Sequence, residues 1–293
     1  MQDQPTRKHL IIVRAGDASL HEGWLPPPDA PRSFDLVVSY FGRDPDRYRR
    51  ADIPRLDGAG PKWRGLYELL ASGAVNWWDF DYICLPDDDL AASPEVFETL
   101  FAQVRAHELA LAQPALTADS HISHAITVHN PRFQLRRTNF VEAMAPVFSR
   151  ELLARVLPTF VANDSGWGID WLWQQYLDRP QRDSAIIDAA QVCHTRPVGG
   201  PNYERLVAEG RSPHDEMRAL LTRYGLMGMP QLCWSAVTLD GQELRLAGGE
   251  AEALTLLDQV MQVARPRVRN EGEARWLLWS HVQASPALMA LAS

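Results

Sequence analysis

Residues 80–89 read Phe-Asp-Tyr-Ile-Cys-Leu-Pro-Asp-Asp-Asp, an apolar run that ends in three consecutive aspartates. The apolar part predicts a short buried strand. Carboxylate oxygens are the ligands that hard divalent cations prefer, and ligands of α/β sheets bind at the carboxyl ends of strands. The junction therefore predicts a cation site at the edge of a sheet, where the cation would hold a phosphorylated ligand.

The three aspartates are not equivalent in an extended chain. Side chains alternate along a strand, so Asp87 and Asp89 should point to one side and Asp88 to the other. Mg²⁺ or Mn²⁺ typically takes one or two protein carboxylates and completes its shell with water and phosphate oxygens. The alternative is that the triplet only solvates a loop before a helix cap at Ser93. The buried strand before the triplet favours the cation site.

Short apolar strands alternate with helical patterns on both sides of this junction. Apolar runs at residues 10–13 and 34–40 suit central strands covered on both faces. Gly60-Pro61 predicts the start of a helix over 62–71, and Ser93-Pro94 the start of a helix towards 107. We predict further strands at 109–112, 125–128, 185–187 and 192–194, and further helices at 150–157 and 169–177. The order predicts an α/β protein of Rossmann type, a layered sandwich with a mostly parallel mixed central sheet.

The composition changes at Pro197-Val198-Gly199-Gly200-Pro201, which predicts a linker or a rigid turn. We predict a catalytic domain over 1–203 and a small C-terminal α+β appendage over 204–293. The appendage pattern comprises a helix near 215–224, a hairpin around Asp240-Gly241 and amphipathic segments at 251–263 and 273–282. The two amphipathic segments are expected to serve either acceptor binding or the formation of a homodimer.

Composition excludes several classes of protein. The 293 residues are 46% hydrophobic, which predicts a folded globule, and 29 basic against 37 acidic residues argue against nucleic acid as the main partner. Three cysteines without C-x-x-C spacing indicate neither a disulfide framework nor a cysteine zinc site. The apolar stretch at residues 10–13 is too short for a signal core or a membrane span. We therefore predict a cytoplasmic protein without a transmembrane segment.

Two later segments carry candidate functional residues. His194 ends an apolar run and could supply an imidazole to the same cation, although a lone histidine is more often structural. Gly166 and Gly168 surround Trp167, whose apolar face is of the kind that stacks on sugar rings, although a glycine-bearing turn with a core tryptophan gives the same pattern. Asp170 would lie in the first turn of a helix, where it suits either a general base or a simple helix-dipole residue.

Three more histidines, His121, His124 and His129, form a second candidate cluster. The H-x-x-H spacing of the first two does not match the helical H-E-x-x-H of zinc enzymes. We therefore interpret these histidines as loop or strand residues rather than as a zinc site.

In this order, these segments resemble the metal-dependent glycosyltransferases of the A-type (GT-A) fold. Within that group the sequence is most similar to a family labelled lysine-ketoglutarate reductase trans-splicing related. The resemblance extends from about residue 9 to residue 203. It rests on five blocks, at residues 82–90, 113–116, 138–148, 165–170 and 194–200.

The resemblance implies a role for each matching residue at the metal and at the acceptor. Asp87 and Asp89 would hold a Mn²⁺ or Mg²⁺ that bridges the diphosphate of a nucleotide sugar, and His194 would complete the metal site. Asp170 would deprotonate the acceptor hydroxyl, as the matching residue does in inverting members. Asp164 is a nearby rival for that role.

The remaining candidates divide between the donor and the acceptor. The donor-binding residues that we predict are Arg14, Gly16, Asp17, Lys62 and Asp88. The acceptor-binding residues that we predict are Trp167, Gly168, Asn139 and Glu142. Lys62 could instead be a surface residue, Asp17 could cap a turn, and Glu142 could form a salt bridge with Arg137.

The sequence thus predicts a metal-dependent enzyme that moves a sugar from a nucleotide-sugar donor to a hydroxyl of a carbohydrate or another acceptor. Two alternatives use the same carboxylates. One is a metal-dependent nucleotidyltransferase or phosphohydrolase, and the other is a non-catalytic module that only binds the nucleotide sugar.

Overall fold

The computed structural model describes residues 7–197, 199, 201–227 and 231–245, and it shows a central sheet with helices on both faces. The strands are β1 (His9–Ala15), β2 (Phe34–Tyr40), β3 (Arg55–Asp57), β4 (Tyr82–Cys84), β5 (Leu90–Ala91), β6 (Leu111–Leu116), β7 (Phe133–Thr138), β8 (Val147–Ser149), β9 (Ser184–His194), β10 (Cys233–Thr238) and β11 (Glu243–Arg245). The helices are α1 (Lys62–Ala71), α2 (Pro94–Ala106), α3 (Arg150–Val156), α4 (Ile169–Trp173), α5 (Pro201–Ala208) and α6 (Pro213–Tyr224).

The strand order in the sheet is β11-β10-β7-β9-β6-β8-β4-β1-β2-β3, and the short strand β5 pairs with β9 beside it. Strand β1 pairs in parallel with both β2 and β4, and β6 pairs in parallel with β9. Strands β7, β8 and β11 run in the opposite direction. The prediction of an α/β fold with a mostly parallel mixed sheet is confirmed.

Both faces of the sheet are buried, which explains the continuous apolar runs at residues 10–13 of β1 and 36–38 of β2. Along β1, Ile11 and Val13 belong to one core cluster, whereas Leu10 and Ile12 belong to the other. The first cluster includes the apolar face of α2, and the second includes apolar residues of α1, α3, α4 and α6. A strand that is covered on both sides has no polar face, so it appears in the sequence as a continuous apolar run.

Several predicted elements differ from the structure. The predicted strand at 125–128 is wrong: Ala125–Thr127 is a 3-10 helix, in which the amide and the hydroxyl of Thr127 both donate to the carbonyl of His124. The predicted strands at 185–187 and 192–194 are one strand, β9, whose register against β6 shifts after Ile187. Helix α4 ends at Trp173 and continues as a 3-10 turn, Gln174–Tyr176.

The described residues after 203 pack on the main body of the protein. The predicted hairpin around Asp240-Gly241 is confirmed as β10 and β11, and β10 pairs with β7 and so extends the central sheet. Helix α6 contributes Leu220 and Leu221 to the core cluster that contains α4. The amphipathic segments at 251–263 and 273–282 lie outside the described residues, and the domain division at 203 stays a prediction.

None of the helices in the described ranges combines the length and the apolar character that a bilayer crossing requires.

Candidate metal and donor site

The parallel arrangement of β1, β2 and β4 brings their carboxyl ends to one edge of the sheet. The aspartate triplet follows β4 at this edge and leads into β5. Leu90 of β5 lies opposite His194 at the end of β9, and the Thr195 amide donates to the carbonyl of Asp89 at 3.1 Å. The pairing of β5 with β9 thus brings the aspartate triplet next to His194, although the two lie far apart in the chain.

Asp87, Asp89 and His194 form one cluster with the spacing that a metal ion needs. Each offers one ligand atom, and these atoms all lie within 4.8 Å of one another. Oδ1 of Asp89 is buried and, within the described part of the chain, has no hydrogen-bond partner, which is costly unless a ligand supplies one. Two carboxylate oxygens and one imidazole nitrogen suit Mn²⁺ or Mg²⁺, so the residues present fit a divalent cation.

Hydrogen bonds orient the imidazole of His194. Its Nδ1 lies 3.0 Å from the carbonyl oxygen of His121, to which it donates, so that Nε2 is left to face Asp89 at 3.4 Å. Burial alone would lower the pKa of His194, but the hydrogen bond and the charge of Asp89 outweigh it and raise this pKa to about 9. A cation at Nε2 would replace the proton there and leave the hydrogen bond to His121 in place.

Lys62, at the start of α1, holds Asp87 from the other side. Its ammonium group donates to Oδ1 of Asp87 at 2.6 Å and to the carbonyl oxygen of Ala143 at 2.8 Å. The alternative that Lys62 is only a surface residue does not hold, because this side chain is largely enclosed. Lys62 therefore places a positive charge beside the three candidate metal ligands.

Asp88 has different contacts from the candidate metal ligands Asp87 and Asp89, and it secures the loop after β1. Its carboxylate accepts a hydrogen bond from the Gly16 amide at 2.8 Å and an ion-pair contact from Arg196 at 3.3 Å. Arg196 also donates to the carbonyl of Ala18. Residues 88 and 89 lie in a turn rather than in an extended strand, so strand alternation is not what separates the three side chains, and Asp88 links the exit of the first strand to the end of β9.

Asp170 lies close to this group and is 7% exposed. Its carboxylate accepts hydrogen bonds from the amides of Ala143, at 3.4 Å, and Trp171, at 3.1 Å. Ala143 thus contacts Asp170 through its amide and Lys62 through its carbonyl. Burial raises the pKa of Asp170 to about 7, which is the range that suits a general base at neutral pH.

The rival residue, Asp164, has different surroundings. It pairs with Arg64 at 3.0 Å and with Arg211 at 2.7 Å. The hydrogen bond from Arg211 is the main reason why the pKa of Asp164 lies below its ordinary value. A carboxylate held by two arginines is a weak base, so these contacts favour Asp170.

Glu142 is buried beside the same group. The expected alternative, a salt bridge with Arg137, does not form, because Arg137 pairs with Glu243 of β11 instead. Oε2 of Glu142 has no hydrogen-bond partner. Burial and then the charge of Asp170 raise the pKa of Glu142 to about 8.

Trp167 lies on a loop whose backbone favours glycine on both sides of it. Gly166 and Gly168 have φ angles of 77° and 85°, and Gly168 directly precedes α4. A Cβ atom on Gly166 would lie 2.4 Å from Cδ1 of Trp63. The indole N–H of Trp167 donates to the hydroxyl of Tyr203 at 2.8 Å, so the ring is fixed in place by a contact that the sequence did not reveal.

We expect Gly166→Ala to destabilise the protein by about 3 kcal/mol, because both the positive φ and the contact with Trp63 oppose a methyl group. Gly73→Ala is the matched control, since Gly73 has a φ of 74° and a methyl carbon on it would have no atom within 4 Å. That change should cost about 1 kcal/mol. Urea denaturation of both variants gives the free energies of unfolding, and equal losses would contradict the packing argument.

Three of the predicted binding residues form hydrogen bonds that stabilise the backbone of neighbouring loops. Arg14 is buried and donates to Ser39 and to the carbonyl of Gly60. Asp17 accepts hydrogen bonds from Tyr40 and from the amides after β2, as a turn-capping residue does. The side chain of Asn139 accepts from the Leu232 amide at 2.6 Å. Their predicted roles in donor and acceptor binding stay predictions.

Sequence reasoning did not single out a cleft next to Arg14, at the carboxyl ends of β2 and β3. Its volume is about 320 Å³, and its lining includes Phe41, Arg43, Asp57 and Gly58. The ring of Phe41 is 48% exposed, and the Arg14 guanidinium lies 5.4 Å from its centroid. An exposed aromatic residue at the end of a buried strand is the signal that would have pointed to this cleft.

Within the described ranges, His121, His124 and His129 do not gather into a metal site. His121 contributes its carbonyl to His194, His124 contacts Gln231 at 2.8 Å, and Nδ1 of His129 lies 4.0 Å from Asp188.

A three-layer α/β sandwich with an aspartate motif at the carboxyl edge of its sheet is the architecture of the A-type glycosyltransferases. The structure of GalNAc-T7 with UDP, GalNAc and Mn²⁺ matches with a TM-score of 0.53 at 9% identity, over 73% of this chain and 47% of that one. The chain thus has the A-type fold, and it spans about half the length of GalNAc-T7.

Glucosyl-3-phosphoglycerate synthase from Mycobacterium tuberculosis, solved with Mn²⁺, UDP and glucosyl-3-phosphoglycerate, matches with a TM-score of 0.46 at 15% identity. This match covers 82% of the present chain and 88% of the synthase. No family model matches the sequence. No curated protein matches it either.

Proposed function

We propose that this protein is a metal-dependent glycosyltransferase that uses a nucleotide-sugar donor. The observation that carries the proposal is the cluster of Asp87, Asp89 and His194 at the carboxyl edge of an A-type sheet, with the buried Oδ1 of Asp89 unpartnered. Such a donor set holds a cation that also binds phosphate oxygens. We also propose that the protein is related to the family labelled lysine-ketoglutarate reductase trans-splicing related, and only the five sequence blocks support this relationship.

The donor would lie along the edge formed by β1, β2 and β4. A divalent cation on the cluster would neutralise the charge of the leaving diphosphate. Lys62 adds a positive charge on the same side, since its ammonium group lies 2.6 Å from Asp87. The cleft lined by Phe41 offers an aromatic face for the base of the nucleotide.

The acceptor would lie on the side of Asp170. The carboxylate of Asp170 is positioned by two backbone amides and would take the proton of the acceptor hydroxyl as that oxygen attacks the sugar. Trp167, fixed by Tyr203, offers a flat apolar face beside the same group. The burial of this region keeps water away from the donor sugar.

The test is turnover of nucleotide sugars by the purified protein with Mn²⁺ or Mg²⁺, starting with UDP sugars because GalNAc-T7 was solved with UDP. We expect release of nucleoside diphosphate that a chelator abolishes. Release of pyrophosphate or phosphate would instead indicate a nucleotidyltransferase or phosphohydrolase, and donor binding without product would indicate a binding module. If the protein neither turned over nor bound any donor, with either metal, that result would contradict the proposal.

A further inference from the structure

The acceptor side of the proposed site contains two buried carboxyl groups that no cation neutralises. Asp170 is 7% and Glu142 9% exposed. Among the described residues neither group forms an ion pair, and the only hydrogen bonds to the Asp170 carboxylate come from backbone amides. Oε2 of Glu142 has no hydrogen-bond partner among the residues that the structure describes. A buried oxygen without a partner is a position that a ligand can fill.

The positive charges near Glu142 are already engaged. Lys62 and His194 are the cations whose charges act on Glu142. Lys62 donates to Asp87 and to two backbone carbonyls, and His194 contacts Asp89 and the carbonyl of His121. Arg137, the nearest arginine along the chain, turns to Glu243 on the far side of β7. Neither Lys62 nor His194 nor Arg137 is therefore left to receive an anionic group of an acceptor.

Resting on the function proposed above, we infer that Glu142 is a specificity residue that selects uncharged, hydroxyl-bearing acceptors and rejects acceptors that carry phosphate or carboxylate groups. An acceptor hydroxyl can donate a hydrogen bond to Oε2 of Glu142, which then orients it, while a second hydroxyl meets Asp170. A phosphate or carboxylate would place a further negative charge against two buried carboxyl groups. Like charges held that close are strongly unfavourable in a dry site.

The behaviour of the two carboxyl groups agrees with this inference. Burial and then the charge of Asp170 raise the pKa of Glu142 to about 8. The pocket therefore already disfavours a second negative charge, even before an acceptor enters. The hydroxyl of Tyr203, which lies near both groups, also has a raised pKa, with burial as the main cause and these carboxylates adding to it.

The inference is tested with matched acceptors, for example glucose against glucose 6-phosphate and glycerol against glycerol 3-phosphate. With donor and Mn²⁺ held constant, kcat/KM for the uncharged member should exceed that for its phosphate by about tenfold or more. Calorimetry of the same acceptors, with nucleoside diphosphate and Mn²⁺ bound, should give the same order of affinity. Equal values, or a preference for the phosphorylated member, would overturn the inference.

Glu142→Gln keeps the shape of the side chain and removes the charge that Glu142 carries above its pKa of about 8, so the two proteins are compared at pH 9. We expect this variant to narrow the preference between each pair by about tenfold, mainly because the phosphorylated member improves. Glu151→Gln, at an exposed glutamate on α3, is the matched control and should leave the preference unchanged. An unchanged preference in a folded Glu142→Gln protein would show that another group sets it.

Failure of this inference can be separated from failure of the proposed function. Donor binding is measured first, without any acceptor, and metal-dependent release of nucleoside diphosphate is measured with water as the acceptor, so that one free sugar accompanies each diphosphate released. If both occur and phosphorylated acceptors are preferred, the proposed function stands and the role of Glu142 is wrong. If neither donor binding nor diphosphate release occurs with any metal, the proposed function and the role of Glu142 are both wrong.

Discussion

Replacing Asp89 by asparagine should weaken the binding of Mn²⁺ by about 100-fold or more, and donor turnover should fall with it. Asp89 supplies a ligand oxygen within 4.8 Å of those of Asp87 and His194, and its Oδ1 has no other partner. An amide oxygen is a weaker ligand, and the loss of one charge removes much of the attraction for a divalent ion. Isothermal titration calorimetry with Mn²⁺ measures the effect without depending on activity.

Two further variants make this experiment specific. Asp178→Asn removes a charge from an exposed ion pair with Arg155 and should leave the affinity for Mn²⁺ unchanged. Asp88→Asn removes the neighbouring charge of the triplet, and it should affect metal affinity much less than Asp89→Asn because Asp88 faces Gly16 and Arg196. Equal losses for Asp88 and Asp89 would show that the triplet acts only through its net charge.

Asp170→Asn should lower kcat by about 100-fold to 10,000-fold while leaving the affinities for metal and donor nearly unchanged. An amide cannot take the proton of the acceptor hydroxyl, although it preserves the size of the side chain. Initial rates at saturating donor and acceptor measure the loss, and calorimetry with nucleoside diphosphate checks binding. Asp164→Asn is the comparison variant, and a larger loss of kcat there would transfer the role to the rival carboxylate.

The pH profile of the wild-type enzyme should report the same group. Burial raises the pKa of Asp170 to about 7, and a general base acts only when it is ionised. The rate should therefore fall as the pH decreases through about 7, roughly tenfold per pH unit below it. A rate that stays constant down to pH 5 would contradict the assignment, because an ordinary aspartate is still ionised there.

The same burial should make Asp170→Asn more stable than the wild type at neutral and alkaline pH. The folded-state pKa of Asp170 lies above its unfolded value, so the favourable contribution of this group is complete below about pH 4 and is lost as the pH rises through about 7. The variant lacks this loss. Its advantage in free energy of unfolding should grow between these two pH values and reach about 4 kcal/mol, as thermal or urea denaturation at pH 4 and pH 8 would measure.

Much of the fold follows from the sequence for identifiable reasons. Strands β1 and β2 contain continuous apolar runs because both faces of the sheet are buried, and α1 begins at Lys62, directly after Gly60-Pro61, where the sequence predicts a helix start. Strand β7 was missed because Arg136 and Arg137 give it a polar appearance. Arg136 is nevertheless buried in an ion pair with Asp188 at 2.9 Å, and no pattern within the segment itself indicates that partner.

The candidate site shows the same division. The candidate metal ligands Asp87 and Asp89 could be proposed from the sequence because they follow directly on a buried strand. The residues that contact these ligands and Trp167 in the folded protein could not be predicted from the sequence. Lys62 at the head of α1, Arg196 after β9, Tyr203 beside Trp167 and the exposed Phe41 have no local signal, since their contacts depend on how distant segments pack.

The sequence by itself determined the α/β class, the carboxylates at the end of β4 and the glycine-bounded loop around Trp167, because strand periodicity and glycine's access to positive φ act over a few residues. The tertiary structure alone decided that His194 meets Asp89, that Arg137 pairs with Glu243 rather than Glu142, and that Glu142 and Asp170 are buried without a cation. Those outcomes depend on strand pairing and burial, which bring together residues far apart in the chain and set the charge that each one carries.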